Sequence, residues 1–424
     1  MSSGSTEPTA SCPHATAAIG SRYNPYDPAY DPYQFYALSR REAPICHVPQ
    51  FGFWLVTGHA ELMAILKDPI RFSCAENMTP PVPWPQEVLD ILGEWYPFAP
   101  GLFNNDPPDH TRVRALCSVA FTPQRVAGME PAIRALANRL VERFAHEGRG
   151  ELVSRFSFPF PLLVMAELLG IPHEDIETIR RWNVELLMLM DPNLPRERQL
   201  ACARGYATYQ QYLADIIKQH QAEPKEDLTT ALIQARLEGE RSFTLKELVS
   251  QLIVLINAGH ETTTNLIGNM LLLLFQHPEQ WRELREDPSL LPAAIEESVR
   301  IESPVHVQQR VATEQVELGG VVIPRGARLL MNFAAANRDE KLFPWPDTFD
   351  IHRQNPARHV GFGWGTHFCL GAALGRLEVK TAMEVLHARL PNFRPAPGYM
   401  PTYEPNFFFR GPKELHLVWD IPGV

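Results

Sequence analysis

The sequence predicts a mainly helical chain with small β regions, on three observations. Helical apolar spacing covers nearly everything between residues 111 and 302. β-type residues cluster around 45–58 and 316–333. The 39 prolines among 424 residues, about 9% against a typical ~5%, require long irregular connections.

Taken in order, residues 1–20 are small and polar, without a basic start or an apolar h-region, and read as a flexible tail before a single domain, 21–424. "ICHVPQFGFWLVTG" at 45–58 reads as a hairpin. The proline-rich stretches at 78–85 and 342–360 read as long functional loops within that domain. "DPPDHTRVR" at 106–114 sets His110 and Arg114 four apart, on one face of a helix.

The clearest helix begins at Thr244, where "TLKE" offers a capping box to Glu247, and runs to Phe275 before the stop at His277-Pro278. At 1.5 Å per residue it is on the order of 45 Å long. Its middle, "NAGHETTTN", contradicts it locally, because Gly259 and three successive threonines are poor helix formers. The Thr262 hydroxyl is placed to bond the Ala258 carbonyl and bend the helix. His260-Glu261 opens an HExxH pattern, but the fifth position is Thr264, so a zinc-protease reading fails.

Further on, "EESVR" sets Glu297 and Arg300 three apart, Arg310 stands at the edge of the second β zone, and "FDIHR" ends in Arg353. Each alone reads as solvated surface charge. "GFGWGTHFCLG" at 361–371 is a glycine-dense turn that feeds a helical run, "AALGRLEVKTAMEVLHARL". The start of a helix favours a negative group, so Cys369 is a candidate thiolate, a metal ligand or a nucleophile.

Composition excludes several classes. The run "MLLLLF" at 270–275 is far short of the roughly 20 residues of a membrane span. Six scattered cysteines without a CxxC pair suit a reducing, cytoplasmic setting rather than a disulfide framework. A formal net charge of −10 predicts no nucleic-acid partner.

"FGWGTHFCLG", "ESVR" and "AGHETT", in their order along the chain, resemble the cytochrome P450 family of heme-thiolate monooxygenases, and the likeness runs from about residue 20 to the end. The resemblance implies a triangular prism, mainly helical with small β-sheets, its long central helix over heme b (iron protoporphyrin IX). It implies Cys369 as iron ligand and Gly363, Gly365 and Gly371 where backbone passes the porphyrin. Phe362 would lie near the sulfur, and Ala258 and Gly259 on the heme side of the central helix. His110, Arg114, Arg310 and His367 would meet the propionates, and Glu297, Arg300 and Arg353 would form a buried triad. Glu261 and Thr262 would relay the protons that O2 activation consumes.

The resemblance also implies a hydrophobic small-molecule substrate, with Trp84, Trp95, Phe98, Leu187, Met188, Val305 and Phe408 as candidate pocket residues. Electrons would come from a ferredoxin or flavodoxin with an NAD(P)H-dependent reductase, docking on a basic face of Arg112, Arg114 and Arg376. Three readings compete: a heme-thiolate peroxygenase or oxidative-coupling enzyme, a heme-based sensor, and a cysteine hydrolase using His367. The Glu261–Thr262 pair favours O2 activation over peroxide use. The hydrolase leaves the central helix and the propionate-type cations unexplained.

Overall fold

The computed structural model describes residues 13–27, 30–80, 82–191, 193–404, 406 and 408–421. They group into two compact units. The first draws on Met1–Cys74, Gly268–Cys369 and Met400–Lys413, the second on Ala75–Ile267, Leu370–Tyr399 and Glu414–Val424. Each therefore combines segments remote in sequence, although the sequence predicts one continuous domain.

Ten short strands are described: β1 (Ile45–Val48), β2 (Phe53–Val56), β3 (Phe72–Ser73), β4 (Arg149–Glu151), β5 (Val307–Ala312), β6 (Val316–Leu318), β7 (Val321–Ile323), β8 (Arg328–Asn332), β9 (Arg394–Pro395) and β10 (His416–Val418). In the first unit the expected hairpin forms as β1 and β2, paired from Ile45 with Val56 to Val48 with Phe53. Its turn uses Gly52 at φ +68°, a conformation that costs glycine nothing. The sheet order is β1-β2-β8-β5-β3, with only β2 and β8 parallel. Along the strands successive residues alternate between two buried clusters, Ile45, Trp54, Val56, Leu329 and Met331 in one, Cys46, Phe53, Leu55 and Leu330 in the other. Period-two alternation thus buries both faces of the sheet.

The supposed tail is partly structured. Residues 1–12 lie outside those described, but Pro13–Gly20 is a helix with Thr16 buried, and a Cβ on Gly20 would strike the His47 carbonyl oxygen at 1.8 Å. The tail expectation is corrected for 13–20: the segment is short and polar in sequence, yet its backbone packs on β1.

The second unit is dominated by helices. The central helix, Leu245–Gln276, starts in this unit and continues into the first. Its capping box forms as read: Thr244 N–H donates to Glu247 Oε2 at 2.8 Å, and Glu247 N–H to Thr244 Oγ1 at 3.2 Å. It stays α-helical through the glycine and threonines. The helix after the cysteine, Ala372–Arg389, packs against Glu130–Glu142, with Arg134 bridging Glu384 at 2.5 Å and Glu130 at 2.9 Å. No described helix is long and apolar enough to cross a membrane.

Candidate functional site

In the first unit, the loop before Ala372–Arg389 is closed by its own backbone. Gly363 N–H donates to Val360 O at 2.8 Å, Phe368 N–H to Gly365 O at 3.0 Å, and Cys369 N–H to Phe362 O at 2.8 Å. Gly363 and Gly365 sit at φ +71° and +66°, values that a side chain would strain. The loop thus holds Cys369 three residues ahead of the helix, while Gly371 occupies the helix N-cap position.

Cys369 is exposed, whereas Cys46, Cys74, Cys117 and Cys202 are buried. Burial pushes the Cys46 and Cys117 thiols up to about 11 and about 12, so both remain protonated and inert. His367 lies with its Nε2 3.6 Å from Cys74 Sγ. Arg310 is buried in β5, an interior strand of its sheet, and donates to Gln309 O at 2.7 Å.

Behind the loop, Glu297 and Arg300 lie on the helix Leu291–Ile301 and meet Arg353. Arg353 Nε is 2.9 and 3.1 Å from the two Glu297 oxygens. The same helix touches the loop: a Cβ on Gly361 would lie 2.5 Å from Val299 Cγ1. Only glycine admits this approach.

In the second unit, His110 and Arg114 share the helix Asp109–Ala120, His110 fully buried and Arg114 half-buried. Arg112 departs from its expected role. It is buried and ion-paired with Glu247, which also binds Arg241 at 2.7 and 2.8 Å, so it offers no surface charge to a partner. The carboxyl of Glu247 is held down at about 2: burial works against the charge, but bonds from Arg241, the Thr244 N–H and Arg112 outweigh it.

On the central helix Thr262 Oγ1 donates to Ala258 O at 2.8 Å, the predicted bond. Ala258 is exposed although Ile256 and His260 are buried. Burial raises the Glu261 carboxyl above the usual range. His260 is committed elsewhere: its Nε2 lies 3.2 Å from the Phe158 carbonyl, its ring meets the Phe158 ring edge-on at 4.2 Å, and burial lowers it to about 4.

At Gly259 a Cβ would meet Met165 Sδ at 2.5 Å, so the missing side chain admits the neighbouring helix Pro159–Leu169.

The pocket residues divide. A cleft in the second unit is lined by Trp95, Phe98, Tyr206, Gln210, Lys246, Ser250, Ile253 and Val254, among others. Trp84 lines a neighbouring cleft, its Nε1 donating to Leu189 O at 3.1 Å, and its ring lies 5.9 Å from that of Phe98. Leu187 and Met188 line neither. Leu187 is 56% exposed, because buried Leu186 and Leu189 turn it to the outer face of Ile176–Leu189. In the first unit Val305 packs on the sheet core and bridges Phe409, and Phe408 is 38% exposed with its carbonyl accepting from His306 N–H. Sequence reasoning missed Lys246, Ser250, Ile253 and Val254, although their i, i+4, i+7, i+8 spacing marks one helix face.

The residues fit a heme. In the first unit, one exposed thiol, where the other described cysteines are buried, stands on a loop of positive-φ glycines without side chains, a donor and an open backbone for a flat iron complex.

Comparison with known proteins agrees. A sequence model of the family Cytochrome P450 matches residues 184–404. The chain is 36% identical to the biotin biosynthesis cytochrome P450 of Bacillus subtilis (strain 168) over 394 residues, covering 92% of this chain and 96% of that one. It is 37% identical to the 6-deoxyerythronolide B hydroxylase of Saccharopolyspora erythraea over 371 residues, 85% of this chain and 89% of that one. The solved structure of cytochrome P450 CREJ in complex with (4-ethylphenyl) dihydrogen phosphate superposes with a TM-score of 0.87 at 32% identity, covering 95% of this chain and all of the other. With its cysteine loop, central helix and small sheets in place, the chain belongs to the cytochrome P450 family.

Proposed function

We propose that this P450 monooxygenase holds heme b through the thiolate of Cys369, with His110, Arg114, Arg310 and His367 as cations for the propionates. The observation that supports the reading is the exposed Cys369 fixed by its N–H bond to Phe362 O. Bound heme supplies the one-electron and O2 chemistry that side chains lack, and a thiolate ligand favours O–O cleavage.

The protein's own part is to hold that group and to move protons. The triad of Glu297, Arg300 and Arg353 supports the loop from behind. O2 activation consumes two protons, and the protein delivers them along the central helix. Burial keeps Glu261 protonated to higher pH than an ordinary carboxyl, which suits it to passing protons on. Thr262 donates to Ala258 O and retains acceptor lone pairs, so a proton can pass through its hydroxyl. The acceptor is a hydrophobic small molecule, and electrons arrive from redox partner proteins.

The partner is a ferredoxin or flavodoxin served by an NAD(P)H-dependent reductase, steered by Arg114 and Arg376. Buried free cysteines suit a reducing cytoplasm. Residues 21–424 act as a single catalytic domain.

The test is Thr262→Ala. It should retain heme and oxygen consumption while diverting electrons to peroxide; wild-type product per NAD(P)H would overturn the relay.

A further inference from the structure

We propose that His359 is a positioning residue for the thiolate: its Nδ1 and its ring set the backbone that carries Cys369, and Glu296 keeps the imidazole in the tautomer that can do so. The inference rests on the reading of Cys369 as the iron ligand.

The chain enters the cysteine loop with two successive amides that bond side chains rather than backbone. Val360 N–H donates to Asn337 Oδ1 at 2.7 Å, and Gly361 N–H donates to His359 Nδ1 at 3.1 Å. Gly361 has little room to turn elsewhere. A Cβ on it would lie 2.5 Å from Val299 Cγ1, 3.1 Å from Val299 O and 3.3 Å from Ser303 Oγ, so its backbone is pressed against the end of the helix Leu291–Ile301. Among the described residues no backbone carbonyl takes this N–H, and the imidazole supplies the acceptor that a backbone donor requires.

The same imidazole is fixed at its other end. Because an N–H donates to Nδ1, that nitrogen carries the lone pair and the ring hydrogen sits on Nε2. Nε2 faces an acceptor, Glu296 Oε2 at 3.2 Å, and the His359 side chain is only 2% exposed. Without the carboxylate the hydrogen is free to move to Nδ1, where it would meet the Gly361 N–H donor to donor. Glu296 directly precedes Glu297 of the buried triad, so one helix steadies the loop through two neighbouring carboxylates.

From Gly361 the effect reaches the cysteine through Phe362. The His359 ring lies 5.8 Å from the Phe362 ring, inclined at 45°, and Phe362 O accepts the Cys369 N–H at 2.8 Å. His359 thus holds the amide of Gly361 and the ring of Phe362, and Phe362 in turn holds the residue that would bind iron. Groups outside a ligand set that fix a ligand's direction govern how well it binds.

The test uses two substitutions in the heme-loaded enzyme. His359→Asn places an amide oxygen near the position of Nδ1, where it can accept the Gly361 N–H as an Asx turn, whereas His359→Gln carries its amide out to the position of Nε2 and serves Glu296 alone. The ferrous carbon-monoxide spectrum of wild type and of His359→Asn should show the red-shifted band of a thiolate ligand. His359→Gln, at equal heme content, should move about half of that band to the ordinary position. Exchange of the amide hydrogens of 360–371, read by mass spectrometry, should be about tenfold faster in His359→Gln and close to wild type in His359→Asn. Glu296→Ala keeps the imidazole but frees its hydrogen, so it should speed the same amides by about threefold. A red-shifted band kept in full by both His359 variants, its loss from both in step with melting temperature, or wild-type exchange in His359→Gln would overturn the proposal, and wild-type exchange in Glu296→Ala would overturn the part given to Glu296. Exchange reads the loop whatever binds the iron, so an ordinary carbonyl band in wild type would count against Cys369, while the exchange rates would still decide whether His359 sets the loop.

Discussion

Arg300 grips Glu297 through two parallel bonds, Nε to Oε2 at 2.7 Å and Nη2 to Oε1 at 2.8 Å, with neither side chain exposed. Arg300 Nη1 also donates to Asn337 O at 3.0 Å, and Asn337 Oδ1 accepts the Val360 N–H at 2.7 Å. One residue therefore links the buried pair to the backbone that enters the cysteine loop. Breaking such a pair strands a buried charge, at about 3–5 kcal/mol. Arg300→Ala should lower the melting temperature and abolish heme retention together; a variant with wild-type heme content and melting would contradict the linkage.

Glu247 ties the start of the central helix to Arg112 and Arg241. Its carboxyl is depressed to about 2, so its stabilisation is present above the ordinary carboxylate range and lost as pH falls toward 2. Glu247→Gln should destabilise the protein near neutrality, and the difference in melting temperature from wild type should shrink on acidification below about pH 4.5. A difference independent of pH would count against the ion pairs.

Glu261 has the opposite sign. Its raised carboxyl favours the folded state at low pH, and that contribution fades as pH rises through the folded value. Glu261→Gln should gain melting temperature over wild type progressively with rising pH, while losing coupling of electrons to product. Unchanged coupling would remove it from the relay.

The approach of Met165 to Gly259 predicts a packing defect rather than a cofactor defect. Gly259→Ala must displace the Met165 thioether, and overpacking of this kind costs about 1–3 kcal/mol. Heme content should stay at the wild-type level while thermal stability drops; loss of heme at unchanged stability would assign Gly259 to the cofactor instead.

Steering by Arg114 and Arg376 predicts a salt effect. The first electron transfer from a ferredoxin should slow as ionic strength rises. A salt-independent rate would remove electrostatic steering.

What could be read in the sequence was local. Thr244 and Glu247 cap the central helix across three residues, Thr262 reaches Ala258 across four, and the 45–58 hairpin closes on its own glycine turn. What could not be read depended on remote partners. Met165 lies 94 residues from Gly259, and Glu247 lies 135 residues from Arg112. β5 is interior only because β3, from residues 72–73, pairs beyond it. The outward turn of Leu187 was available from the period of its helix, whereas the unpaired Oε1 of Gln210 has no sequence signal.

The central claim is that Cys369 ligates a heme as thiolate, and the ferrous carbon-monoxide difference spectrum of the purified protein tests it most directly. The account predicts the strongly red-shifted Soret band of a thiolate-ligated carbonyl heme in wild type and its loss in Cys369→His. Heme uptake with an ordinary carbonyl spectrum in wild type, or a red-shifted band that survives the substitution, would contradict it.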